Sequence, residues 1–94
     1  METERKQERR HYVFRGEVQG VGFRYRMYYA ARSCGLAGWV KNEWDGSVVA
    51  ELEGEPRMID EAVMQVAQGR FVDITDTEVR MIPLCGEHGF EIVG

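Results

Sequence analysis

Apolar and polar positions along the chain alternate in two different rhythms. His11–Val18, HYVFRGEV, gathers β-branched and aromatic residues over one strand's length, and Gly20 and Gly22 close it. From Arg24 to Ser33 the spacing turns helical: Met27, Ala30, Ala31 and Cys34 recur on one side, and Gly35 supplies the left-handed stop, with Leu36 placed to pack back on the last turn. Residues 37–54, AGWVKNEWDGSVVAELEG, read as a hairpin, two strand-like runs around Asp45-Gly46. Pro56 then opens a second helix with an apolar stripe of Met58, Ile59, Ala62, Val63, Val66 and Ala67, which Gly69 ends. The stretch 75–83, TDTEVRMIP, predicts a fourth strand with Thr75, Thr77, Val79 and Met81 on one face, and Phe90 and Ile92 leave room for a short fifth.

The predicted order is β-α-β-β-α-β. Helices with one buried stripe and strands with one buried face call for a two-layer α/β sandwich of the α+β class. The order matches the ferredoxin-like split βαβ arrangement, with a four-stranded antiparallel sheet of order 4-1-3-2. In that topology the first and second strands run parallel on either side of the third. The glycine turn, the start of the first helix and Asn42 then share one end of the sheet. About 9–10 Å, two strand spacings, separate the segments. A tetrahedral anion and one water fit between Arg24 and Asn42.

The 94 residues make one domain, taken as 11–94 behind a polar N-terminal tail, METERKQERR, at 1–10. That tail has no apolar stretch of a secretory signal, and no run approaches the roughly 18 residues of a membrane span. A cytoplasmic monomer is the expectation. The net charge of −4 argues against general binding to nucleic acid, which depends on excess Lys and Arg. Cys34 and Cys85 are far apart and form no CxxC, so free thiols are expected; His11 and His88 belong to no metal-ligand spacing. No cofactor is expected.

An acidic chain that places RGEVQGVGFRYR at residues 15–26 concentrates its cations for a reason. Gly20 and Gly22 let the backbone curl and aim successive N–H groups at one point. The helix start adds unpaired N–H groups and its dipole. Arg24 offers a planar fork for two phosphate oxygens, and Arg26 and Lys41 raise the potential nearby. The pattern is neither GxGxxG nor GxxxxGK[ST], so nothing points to a nucleotide. The remaining aromatics read as structural: Phe23 and Trp39 as core, Tyr25, Tyr28 and Tyr29 as a helical patch, Trp44 as a pocket wall or a cap on the sheet edge.

GEVQGVGFR (16–24), followed by GWVKN (38–42) and DGSV (45–48), resembles the acylphosphatases, which pair a G-x-V-Q-G-V-x-F-R loop with G-W-V-x-N eighteen residues after its arginine. The likeness runs from about His11 to the end. It implies metal-independent hydrolysis of small acyl phosphates to a carboxylate and inorganic phosphate. It implies Arg24 as the phosphate-binding arginine and Asn42 as the holder of the attacking water. The amides of Gln19, Gly20, Val21, Gly22, Phe23 and Arg24 would form the phosphate cradle. Where the family commonly has threonine, three residues after the arginine, this chain has Met27, a departure that bears on rate rather than on Arg24 and Asn42.

Few catalytic groups suffice for such a substrate. A carboxylate leaves without protonation, and phosphoryl transfer depends on positioning and charge stabilisation. The water's proton is expected to pass to a phosphate oxygen, with Glu17, Glu43 and Asp45 as solvated acids nearby. A regulatory module handling acyl or carbamoyl phosphate on the same fold is the alternative, and an RNA-recognition domain lacks the basic surface and sheet aromatics it would need.

Overall fold

A computed structural model describes residues 6–94, leaving residues 1–5, the first half of the expected N-terminal tail, outside the described residues. The elements follow as β1 (Glu8–Glu17), α1 (Phe23–Ser33), β2 (Ala37–Asn42), β3 (Val48–Gly54), α2 (Pro56–Ala67), β4 (Asp73–Ile82) and β5 (Phe90–Ile92). They build one sheet of order β4-β1-β3-β2-β5. Both β1 and β2 pair antiparallel with β3, and β1 pairs antiparallel with β4, so the predicted order 4-1-3-2 stands. The fifth strand changes the sheet's character. β5 pairs parallel with β2, making the sheet mixed rather than wholly antiparallel.

β1 begins three residues ahead of the expected start, because Arg9 has a reason to be inside. Its guanidinium is 1% exposed and donates to Glu51, Glu53 and Glu87 at 2.9, 2.9 and 3.2 Å. Glu8, Arg9 and Arg10 therefore belong to the sheet and not to a tail. A buried cation is tolerable only when paired on this scale.

Tyr12 and Phe14 of β1, Val48, Ala50 and Leu52 of β3 and Val40 of β2 are buried together with Phe23, Met27, Ala30 and Ala31 of α1 and Ile59, Ala62 and Val66 of α2. The opposite sheet face carries His11, Glu51 and Trp39 in one row. Trp39, expected in the core, lies on that outer face beside the His11 ring, 6.3 Å between centroids. The alternation along β2 decides this: Gly38, Val40 and Asn42 take the helix side, leaving Trp39 and Lys41 outside.

α1 ends as the sequence predicts. Gly35 is left-handed (φ +71°), its N–H donates to Arg32 O and the Leu36 N–H to Ala31 O, and Leu36 turns inward. Between β2 and β3 the turn spans five residues rather than two. Gly46 N–H donates to Glu43 O at 3.2 Å, and the Asp45 carboxylate accepts from Ser47 N–H and Oγ–H.

Candidate active site

Phe14, Val48 and Asn42 form one row across β1, β3 and β2, all on the face that α1 covers. Four residues beyond Phe14 the chain leaves β1 and crosses to α1 through residues 18–22. The glycine loop and the end of β2 therefore meet at one end of the sheet, as the predicted topology requires.

Gly20 and Gly22 have φ of +76° and +80°, with open space where a Cβ would stand. Their glycine is demanded by backbone conformation, not by crowding. Gly22 is the N-cap of α1. No side chain caps the helix and no acid occupies its first turn, so none of its own side chains competes for its first N–H groups and dipole. Phe23 turns its ring into the core and packs on Phe14, 5.1 Å between centroids, which fixes the helix start against the sheet. Val21 also packs against the core.

Arg24 and Asn42 come together around a single main-chain oxygen. Gly94 O accepts from Arg24 Nη1 at 2.6 Å and from Asn42 N–H at 3.1 Å. This arrangement depends on β5, whose parallel pairing carries the segment after Ile92 along β2; Val93 N–H donates to Val40 O at 2.9 Å. The side-chain Oδ1 of Asn42 is buried and accepts no hydrogen bond among the described residues. A buried acceptor without a partner costs about 1–3 kcal/mol and marks a place where a donor is expected.

Gln19 does something the motif alone does not reveal. Its side-chain Nε2 donates to Glu43 O at 2.8 Å and to Ser47 O at 2.9 Å. Glu43 follows Asn42 directly, so this amide ties the glycine loop to the segment that carries Asn42. A glutamine beside two glycines gives no sequence signal for that tie, because its acceptors are backbone atoms 24 and 28 residues away.

Some expected neighbours are elsewhere. Lys41 lies on the outer face against Glu43 at 3.4 Å, and the Arg26 side chain runs beside Gly69, so neither joins the group around Arg24. The hydroxyl and N–H of Ser47 hold the Asp45 carboxyl below the usual carboxylate range, which makes it a poorer proton acceptor. Tyr28 packs against the core and accepts from Arg32 Nη1 at 2.6 Å, whereas Tyr25, Tyr29 and Trp44 are exposed. Met27, in place of the family's threonine, is fully buried and fills the core beneath α1.

A concavity of about 330 Å³ lies at the other end of the sheet, between Gly35–Ala37 and Gly86–Gly89. Glu53 and Glu87 line it, a poor setting for a phosphate. No three His, Cys, Asp or Glu side chains among the described residues gather to hold a metal ion. No helix among them is long and apolar enough to cross a membrane.

A family model described as Acylphosphatase matches residues 10–92. The acylphosphatase of Thermococcus kodakarensis is 40% identical over 90 residues, 95% of this chain and 99% of its own length. Among solved structures, the acylphosphatase from Bacillus subtilis has a TM-score of 0.87 at 39% identity, covering 93% of this chain and 99% of that one. Full-length HypF in its phosphate- and nucleotide-bound form has a TM-score of 0.85 at 26% identity; there 98% of this chain matches 12% of a much longer one. With the loop, the arginine and the asparagine assembled on this sheet, the chain belongs to the acylphosphatase family and is an enzyme of that class.

Proposed function

We propose that this chain hydrolyses the carboxyl–phosphate bond of small acyl phosphates, with Arg24 and Asn42 as its catalytic residues and the amides of residues 19–24 as its phosphate cradle. The observation that carries the assignment is the buried, unpartnered Oδ1 of Asn42, on a residue whose backbone N–H shares the Gly94 oxygen with Arg24. An acceptor so placed accepts a hydrogen bond from a water and so aims the water's lone pair.

The phosphoryl group sits on the N–H groups of the glycine loop and the first turn of α1, with the Arg24 fork on two of its oxygens. Water on Asn42 attacks phosphorus opposite the acyl oxygen. The P–O(acyl) bond breaks, its electron pair leaves on the carboxylate, and the water's proton passes to a phosphate oxygen. Fixed donors stabilise the charge as it spreads over the phosphoryl oxygens. A carboxylate needs neither a general acid nor a metal to depart. Residence in a reducing cytoplasm fits the two free thiols, Cys34 and Cys85.

The likeness to HypF favours one second reading: a phosphate-reading module that handles acyl or carbamoyl phosphate without turning it over. Benzoyl phosphate hydrolysis in the presence of a chelator separates the two. Turnover that the chelator leaves unchanged supports the enzyme. Phosphate binding without hydrolysis would support the module.

A further inference from the structure

Gly69 is a glycine that its own backbone does not require. Its φ lies outside the left-handed region, and Gln68 is the C-cap of α2. What the missing side chain leaves is room. A Cβ there would stand 2.6 Å from Arg26 Nε, 2.8 Å from Arg26 Cδ and 2.9 Å from Val72 Cγ2. The Arg26 side chain therefore lies against the turn at 69–72, which the Val72 N–H closes on Gly69 O at 3.1 Å.

The same turn carries a second guanidinium and an exposed ring. Arg70 Cζ lies 5.4 Å from the centre of the Phe71 ring, and Phe71 is 69% exposed. Glu17 and Asp73 pair with each other where β1 and β4 meet, yet neither Arg26 nor Arg70 forms an ion pair among the described residues. Two uncommitted guanidinium groups beside an open aromatic ring suit an organic anion.

The direction of the proposed hydrolysis points to this patch, and the inference rests on that reading. Water on Asn42 and the acyl oxygen stand on opposite sides of phosphorus. From Asn42 on β2 the sheet runs through β3 to β1, where the glycine loop begins, and on to β4. The turn at 69–72 leads into β4, and Arg26 meets it from the second turn of α1. An acyl group directed away from Asn42 is thus directed toward that turn. We propose that Arg26 and Arg70 form a subsite for a second anionic group on the acyl chain, so that the chain favours acyl phosphates bearing one. Arg26, absent from the group around Arg24, then serves the opposite end of the same substrate.

Two rigid aroyl phosphates test the subsite. In 4-carboxybenzoyl phosphate the second charge cannot fold back on the phosphoryl group, and 4-carbamoylbenzoyl phosphate is its neutral counterpart. At low salt the wild type is expected to favour the carboxylate in kcat/KM by about fivefold or more, the yield of one or two exposed ion pairs. Added salt should erase that preference. Arg26→Gln and Arg70→Gln should each reduce it by about half or more, Arg26→Lys should retain part of it, and the double glutamine variant should abolish it. Benzoyl phosphate turnover should stay unchanged in every variant. Calorimetry with the two matching aroylmethylphosphonates repeats the comparison without a bond that reacts. Equal handling of the charged and neutral compounds by the wild type, or a preference that survives the double variant, overturns the subsite. Absence of all hydrolysis with the phosphonate preference intact overturns the hydrolytic reading and upholds the subsite.

Discussion

Arg24 and Asn42 reach the same oxygen from different elements, and their roles are expected to separate when each is removed. Arg24→Ala should lose about 2.7–4 kcal/mol of transition-state stabilisation, and inhibition by inorganic phosphate should weaken with it. Asn42→Ala should lower kcat strongly while phosphate inhibition changes little. Steady-state kinetics with phosphate as inhibitor reads both, and equal loss of phosphate affinity in the two would assign Asn42 to the anion instead. Gln19 occupies a third position. Gln19→Leu removes both tethers to the Glu43 and Ser47 carbonyls. Misplacement by about 1 Å costs on the order of a hundredfold in rate, so kcat should fall by about ten- to a hundredfold with phosphate inhibition nearly intact. At this scale the sequence pointed to Arg24 and the glycines, because a planar cation and left-handed turns leave a mark on residue type, and to Asn42 through the predicted topology and the family resemblance. It offered Gln19 only for its main-chain amide and gave no sign of the side-chain tether, whose partners are backbone atoms that any residue would offer.

The elements show where the motif's glycines differ in kind. Gly20 and Gly22 stand in open space, whereas a Cβ on Gly38, at φ +135°, would overlap the Glu51 carbonyl oxygen of β3. Gly38 N–H also donates to Gly89 O at 3.0 Å, where β5 joins β2. Gly38→Ala combines backbone strain with a clash against main chain, and about 3 kcal/mol or more of stability should be lost; the midpoint of urea unfolding measures it. The periodicities located all the elements, since each helix and strand buries one stripe. They did not give the direction of β5. Three residues carry no orientation signal, and parallel pairing to β2 emerges only once α2 and β4 have consumed the chain between. Burial of Arg9 was hidden for the complementary reason: its three acceptors lie 42, 44 and 78 residues away.

For the molecule as a whole, the acids gathered around Arg9 tie stability to pH. Burial alone would raise the Glu53 carboxyl. The N–H groups of Cys85 and Gly86 and the Arg9 guanidinium outweigh it, holding the group below its usual value of 4.5. Glu51 is likewise held low against burial, by His11 and Arg9. A carboxyl depressed by folding contributes its stability fully above the unfolded value, and that contribution is lost as pH falls through the folded one. Stability should therefore be flat near neutrality and decline below about pH 4.5. Glu53→Gln should be less stable at neutral pH and decline less steeply in acid. Urea titrations at pH 7 and in acid compare the two.

Val48 stands between Phe14 and Asn42 in the row that ends beneath the glycine loop. The distance across the catalytic gap is thus set by two intervals of main-chain pairing, a ruler that no side-chain substitution lengthens. Tyr25 and Trp44, one residue beyond Arg24 and two beyond Asn42, are exposed, and their replacement leaves that spacing untouched. The proposed seat of the phosphoryl group keeps its width as long as β3 remains between β1 and β2.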